Sequence, residues 1–156
     1  SDQSRNQRSH QESRCDMIEP SLALQTAVRG TLLAHPAVTD LVQPERIRAG
    51  STRPDKFPCV VLSGASTQYL GRASGDQHLA RVNVDLNIWA IEDGPDTAKA
   101  IGFAVSRALI GMADEQDGFS IDQLDQPRLI WLRDPQPELA FTHGVLEIEA
   151  VIRWRA

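Results

Sequence analysis

The stretch SGDQH, residues 74–78, brings a hydroxyl, a carboxylate and an imidazole close together in the chain. These are the groups of nucleophilic acyl transfer, in which a base within reach activates a serine. Neighbours this close on a turn do not converge on one reacting atom, and no nucleophile-elbow pattern surrounds Ser74. Turn chemistry explains the stretch better. Glu147 and Glu149 could act as paired carboxylates, but they alternate with apolar residues and so lie on the solvent side of a strand. A glycosidase-like pair also needs a cleft. His10, His35, His78 and His143 are scattered without ligand spacing, and Cys15 and Cys59 have no clustered histidines, so no metal site is expected. Gly71 and Gly75 frame no Lys-Ser or Lys-Thr pair, and no dinucleotide fingerprint follows a strand. The expectation is a chain with no catalytic residue, no metal and no cofactor, and therefore not an enzyme.

The elements around these residues are clearer than their chemistry. RVNVDLNIWA, residues 81–90, sets Val82, Val84, Leu86 and Ile88 against Arg81, Asn83, Asp85 and Asn87. Such alternation predicts a strand with one apolar and one polar face. HGVLEIEAVIRW repeats the pattern: Leu146, Ile148, Ala150, Ile152 and Trp154 face one way, and Glu147, Glu149, Val151 and Arg153 the other. FPCVVL predicts a strand entered through Pro58, and LGRASGDQ, residues 70–77, a hairpin connection to the 81–90 strand. RLIWLRD predicts a further strand, ended by the prolines of DPQPEL. Trp89, Trp131 and Trp154 fall near strand ends, where packing in the core or at a sheet edge is expected, with interface anchoring as the lesser alternative.

Two segments switch to the helical period. Leu24, Val28 and Leu32 form a stripe behind Pro20, and Pro36 stops it. Ala98, Ile101, Val105, Ala108, Leu109 and Met112 form a second, with Gly102 allowing close approach. Pro95 sits in its first turn, and Glu92, Asp93 and Asp96 suit the helix dipole. Between the helices, AVTDLVQPERIRAG predicts a helical turn and a brief extended segment, and the acidic stretch 111–126 a surface loop. Strand pairs with one helix before and one between them predict an α+β fold: an antiparallel sheet of about four strands with two helices packed on one face.

The chain has 156 residues, 41% hydrophobic and 24% charged, which suits one soluble domain. Residues 1–16 hold no aliphatic or aromatic side chain and are expected to form a flexible N-terminal arm, leaving 17–156 as the domain. No apolar run reaches the ~20 residues of a bilayer span, and no signal-peptide pattern opens the chain, which points to no membrane and to the cytoplasm. A net charge of −5 argues against a general nucleic-acid binder but suits a surface past which DNA must move.

The order of segments resembles the tail-completion (tail-terminator) proteins of phages, prophages and gene transfer agents. SLALQTAVRGTLLAHPAVTDLV followed by RIRAG, then FPCVVL, then HLARVNVDLNIWAIEDGPDTAKAIGFAVSRALIG carry the likeness, which runs from Met17 to Trp154. The resemblance implies a structural virion protein located at the head-proximal end of a tail and assembled in the host cytoplasm. There a ring, commonly a hexamer, ends tube polymerisation and joins the tail to the head connector. Its partners would be copies of itself, the tail tube protein and the connector protein, with DNA passing through the lumen without specific binding. The polar strand faces, through Asp85, Glu147, Glu149 and Arg153, would meet neighbouring subunits or the lumen. The 63–77 hairpin, with Tyr69 and Arg72, and the acidic 111–126 segment would reach the tube and the connector. A small intracellular α+β ligand-binding module and a neighbouring stopper or adaptor component of the connector remain alternatives.

Overall fold

The computed structural model describes residues 18–50, 56–91, 96–132 and 141–155. The first helix, α1, spans Pro20–Leu33 and buries Leu24, Val28 and Leu32. Its N-terminus is capped by Glu19, whose carboxylate accepts hydrogen bonds from Leu22 N at 2.8 Å and Ser21 Oγ at 2.6 Å. Burial pushes the Glu19 carboxyl up, but the hydrogen bonds from Ser21 and Leu22 together outweigh it and hold it below its ordinary value. Pro36 then opens a single turn, α2 (Pro36–Thr39), and a 3₁₀ turn at Pro44–Arg46 leads into β1 (Ile47–Ala49). Arg29 donates from Nε to the Ile47 carbonyl at 2.8 Å, which ties β1 to α1.

Three strands of fifteen residues make the centre of the sheet: β2 (Cys59–Ala73), β3 (Gln77–Ile91) and, much later in the chain, β7 (Phe141–Arg155). The turn between β2 and β3 is only Ser74–Asp76, with Gly75 at φ 76° and Asp76 at φ 57°. Glycine and aspartate tolerate this left-handed backbone, so SGDQH is a hairpin turn. The strands run through most of the segment expected to be a connection, up to Ala73. The third helix, α3 (Asp96–Ile110), follows β3; β4 (Glu115–Gln116), β5 (Phe119–Leu124) and β6 (Arg128–Leu132) precede β7. Glu92, Asp93 and Pro95, the 1–16 arm and the 134–139 proline stretch lie outside the described residues.

The expected sheet of about four antiparallel strands with two helices is overturned. Seven strands are described, in the order β1-β2-β3-β7-β5-β4 with β6 also on β7, and three α-helices accompany them. The sheet is mixed because β1 runs parallel to β2, with Ile47 opposite Val60. It curls into a half-barrel. Register shifts at Gly64/Ser66, Tyr69/Gly71 and Ile121/Gln123 contribute, since each extra residue bends its strand and raises the local twist. The acidic stretch is also not a plain surface loop. An Asp117-Gly118 turn, Gly118 at φ 84°, closes a hairpin that buries Phe119 and Ile121.

The core lies between the helices and the inner face of the sheet. Val82, Val84, Leu86 and Ile88 of β3 and Leu146, Ile148 and Ile152 of β7 pack with Leu24 and Val28 of α1 and Ile101, Val105 and Leu109 of α3. All are essentially inaccessible to water. Gly102 and Gly144 set the spacing of the layers. A Cβ on Gly102 would lie 2.8 Å from Leu129 Cδ2, and one on Gly144 would lie 2.6 Å from Cζ3 of Trp131. Trp131 thus occupies the space above Gly144, beneath α3. Trp154 stacks on His78 at 5.8 Å between ring centroids.

Candidate interaction surface

Every second residue of β3 and β7 turns away from the core, so strand registration determines what the outer face presents. Asp85 lies opposite Glu147, Asn83 opposite Glu149, Leu79 opposite Arg153 and Trp89 opposite His143. Ser63 and Ser66 of β2 flank Asp85 and Asn83 from the other side. The result is a polar face three long strands wide.

Its charges are unevenly satisfied. Glu149 pairs with Arg81 at 3.2 Å, and Arg153 with Asp122 at 3.1 Å. Arg153 also donates to Gln77 Oε1 at 3.1 Å. These pairs are more than one-third exposed and add little to stability, though they fix side-chain positions. Asp85 and Glu147 are different. No ion pair joins either of them to a cation among the described residues, and they oppose each other across the strands. Partial burial, and then the Glu147 charge, raise the Asp85 carboxyl above its ordinary value.

One end of this face is aromatic. His143 stacks on Trp89 with centroids 3.7 Å apart and rings 8° from parallel, and its Nε2 lies 3.0 Å from Asn87 Oδ1. Phe141 meets Trp89 edge-on at 6.5 Å and stacks on Phe57 at 4.6 Å. Ile91 and Leu132 stand exposed near it. From sequence, Trp89 is expected in core or sheet-edge packing, with interface anchoring as the lesser alternative, and its ring partners are not foreseen. Strand alternation puts Trp89 on the polar side, which was the available signal.

Of the residues singled out from sequence, Asp85, Glu147, Glu149 and Arg153 share the outer face. Tyr69 and Arg72 do not join them. Tyr69 is opposite Ala80, and Arg72 opposite His78, in the register of the inward-facing residues but near the hairpin end. Tyr69 is 68% exposed, and Arg72 is exposed too.

Two further features lie on the helix side. Phe103 and Ile110 protrude from α3, and a groove of about 980 Å³ runs between α1 and α3. The groove is open and lined in large part by small residues such as Ala23, Ala27, Gly30 and Gly111. Among the described residues no group of three His, Cys, Asp or Glu could hold a metal, and no helix is long and apolar enough to cross a membrane.

A search of curated proteins finds no match. Among solved structures, a chain of the virion of a native gene transfer agent particle superposes with a TM-score of 0.71 at 24% identity, covering 88% of this chain and 99% of that one. The gp17 protein of bacteriophage SPP1 superposes with a TM-score of 0.53 at 19% identity, over 84% of this chain and 89% of that one. At these identities the likeness is one of fold. The family model described as Tail completion protein gp17 matches residues 26–153, nearly the whole described domain. The chain belongs to the Tail completion protein gp17 family, a family of phage-tail structural proteins.

Proposed function

We propose that this chain is a tail terminator: copies of it close into a ring, six on the pattern its family suggests, at the head-proximal end of a phage-like tail tube. The ring ends tube polymerisation and presents a seat for the head connector, and DNA crosses its bore. The family match over residues 26–153 carries this reading. The fold shared with a chain of a gene transfer agent virion supports a place in such a particle. The two-sided sheet supports the assembly, since its outward side is broad, charged and rigidly built on three long strands. A net charge of −5 disfavours retention of DNA in a lumen, because like charges repel. The role is structural, and no residue is assigned to catalysis or to a cofactor.

Tyr69 and Arg72 at the β2–β3 hairpin, and the β4–β5 hairpin with Glu115, Asp117 and Asp122, are assigned to the two axial partners, tube and connector. Electron microscopy of particles made without this gene tests the function. Overlong tails are expected, with few joined to heads. Headless tails of normal length would move the chain to the connector, and normal particles would remove it from the pathway of tail assembly.

A further inference from the structure

The outward side of α3 is unlike that of an ordinary surface helix. Its inward side is fully used, with Ala98, Ile101, Val105 and Leu109 buried. Facing outward, Phe103 is 67% exposed and Ile110 52% exposed. Arg107 stands between them, its guanidinium carbon 6.0 Å from the centre of the Phe103 ring, and Lys99 precedes them by one turn. Positions 99, 103, 107 and 110 fall on one stripe, by the i, i+3 and i+4 neighbour rule. A large aromatic beside an arginine on a rigid helix is the chemistry of an interface anchor.

The opposite side of the same chain supplies what that stripe lacks. Asp85 and Glu147 sit at the middle of the outer sheet face, directly opposed; Arg128 of β6 lies opposite Glu147 on its other side without an ion pair between them, while the neighbouring Glu149 and Arg153 already have partners. Like charges placed opposite one another across strands disfavour the fold unless a cation comes between them. Beside the pair, Ile130 and Val145 oppose each other on the same face and offer half-buried apolar surface. The cationic, apolar stripe and the acidic, apolar patch therefore lie on opposite sides of a two-layer fold. Such surfaces are complementary but not self-complementary, so they join copies head to tail, and a head-to-tail contact can close into a ring.

We infer that the α3 stripe of one copy docks on the outer sheet face of the next, with Arg107 between Asp85 and Glu147 and Phe103 against Val145 and Ile130. The inference rests on the ring proposed above and names the contact from which that ring is built.

Particles assembled with the Phe103→Cys, Val145→Cys double variant test it. After mild oxidation, a non-reducing gel should show a ladder of covalent multimers. Wild-type and the two single variants serve as controls for links through Cys15. No ladder, in particles whose wild-type copies glutaraldehyde does join, overturns this contact and leaves the ring standing. Glutaraldehyde multimers absent as well would overturn both. A charge exchange gives a second readout. Glu147→Arg should lower the yield of head-joined particles about tenfold, as expected when a buried interfacial charge loses its partner. Adding Arg107→Glu should restore most of that yield, and failure to restore it also overturns the contact.

Discussion

Asp85 and Glu147 illustrate how strand registration creates a property that neither residue has alone. Separately each is an acid on a polar strand face; in the folded sheet, partial burial and then the opposing Glu147 charge raise the Asp85 carboxyl. A raised carboxyl pKa means the folded chain binds protons more tightly than the unfolded chain. Stability therefore falls as pH climbs from the ordinary carboxylate value through the folded one. Asp85→Asn should stabilise the isolated chain at pH 7 by a few tenths of a kcal/mol, the size of an exposed cross-strand charge effect. Thermal melts should show that gain disappearing below the ordinary carboxylate range. The two packed glycines give a sharper contrast. Gly144→Ala drives a Cβ into the Trp131 ring and should cost about 1–3 kcal/mol, the usual range for overpacking. Gly102→Ala meets the movable end of Leu129, and the ~1 kcal/mol gain in helix propensity offsets the strain. Urea unfolding of the two variants should separate them clearly.

At the scale of elements, α1 depends on one carboxylate for its start. Glu19→Ala should destabilise the chain by about 1 kcal/mol, within the range found for lost N-caps. The Glu19 carboxyl is held below its ordinary value, so its contribution is present above the unfolded pKa and lost as pH falls through the folded one. The wild-type advantage over Glu19→Ala should therefore vanish in melts at acid pH. The long elements were legible in sequence because periodicity survives over many residues: Leu24, Val28 and Leu32 mark α1, and Val82 to Ile88 mark β3. Short elements carry too few residues for a period. β1 has three residues and pairs in parallel, which no turn signal announces. β5 hides its two buried side chains, Phe119 and Ile121, in an acidic segment, although Asp117-Gly118 is a hairpin signal. β1 itself matches the brief extended segment expected after Pro44, so its unread parallel pairing and the unread strand β5 account for much of the difference between a small antiparallel sheet and the mixed, curled one.

For the whole molecule, the candidate site was half legible. Alternation alone sets Asp85, Glu147, Glu149 and Arg153 on polar strand faces, but only the folded register shows that Glu149 and Arg153 have ion-pair partners while Asp85 and Glu147 oppose each other. Tyr69 and Arg72 were reached by their place on a hairpin, and bulges at Gly64/Ser66 and Tyr69/Gly71 intervene before their orientation can be read. Phe103 and Ile110 are not singled out by sequence; they interrupt the wet side of α3, and nothing in one chain's pattern says what covers them. The proposed contact between copies would cover them, because the layers put a cationic stripe and an acidic patch on opposite sides. Under the contact proposed above, such a chain would join head to tail rather than by two-fold pairing, and a head-to-tail contact can close into a ring.

A reconstruction of the neck of intact particles, with this chain identified by a small tag, measures the central claim most directly. The account predicts one closed ring of the chain, between the last layer of the tail tube and the head connector. Density for the chain repeated along the tube, or found only inside the head, would contradict it.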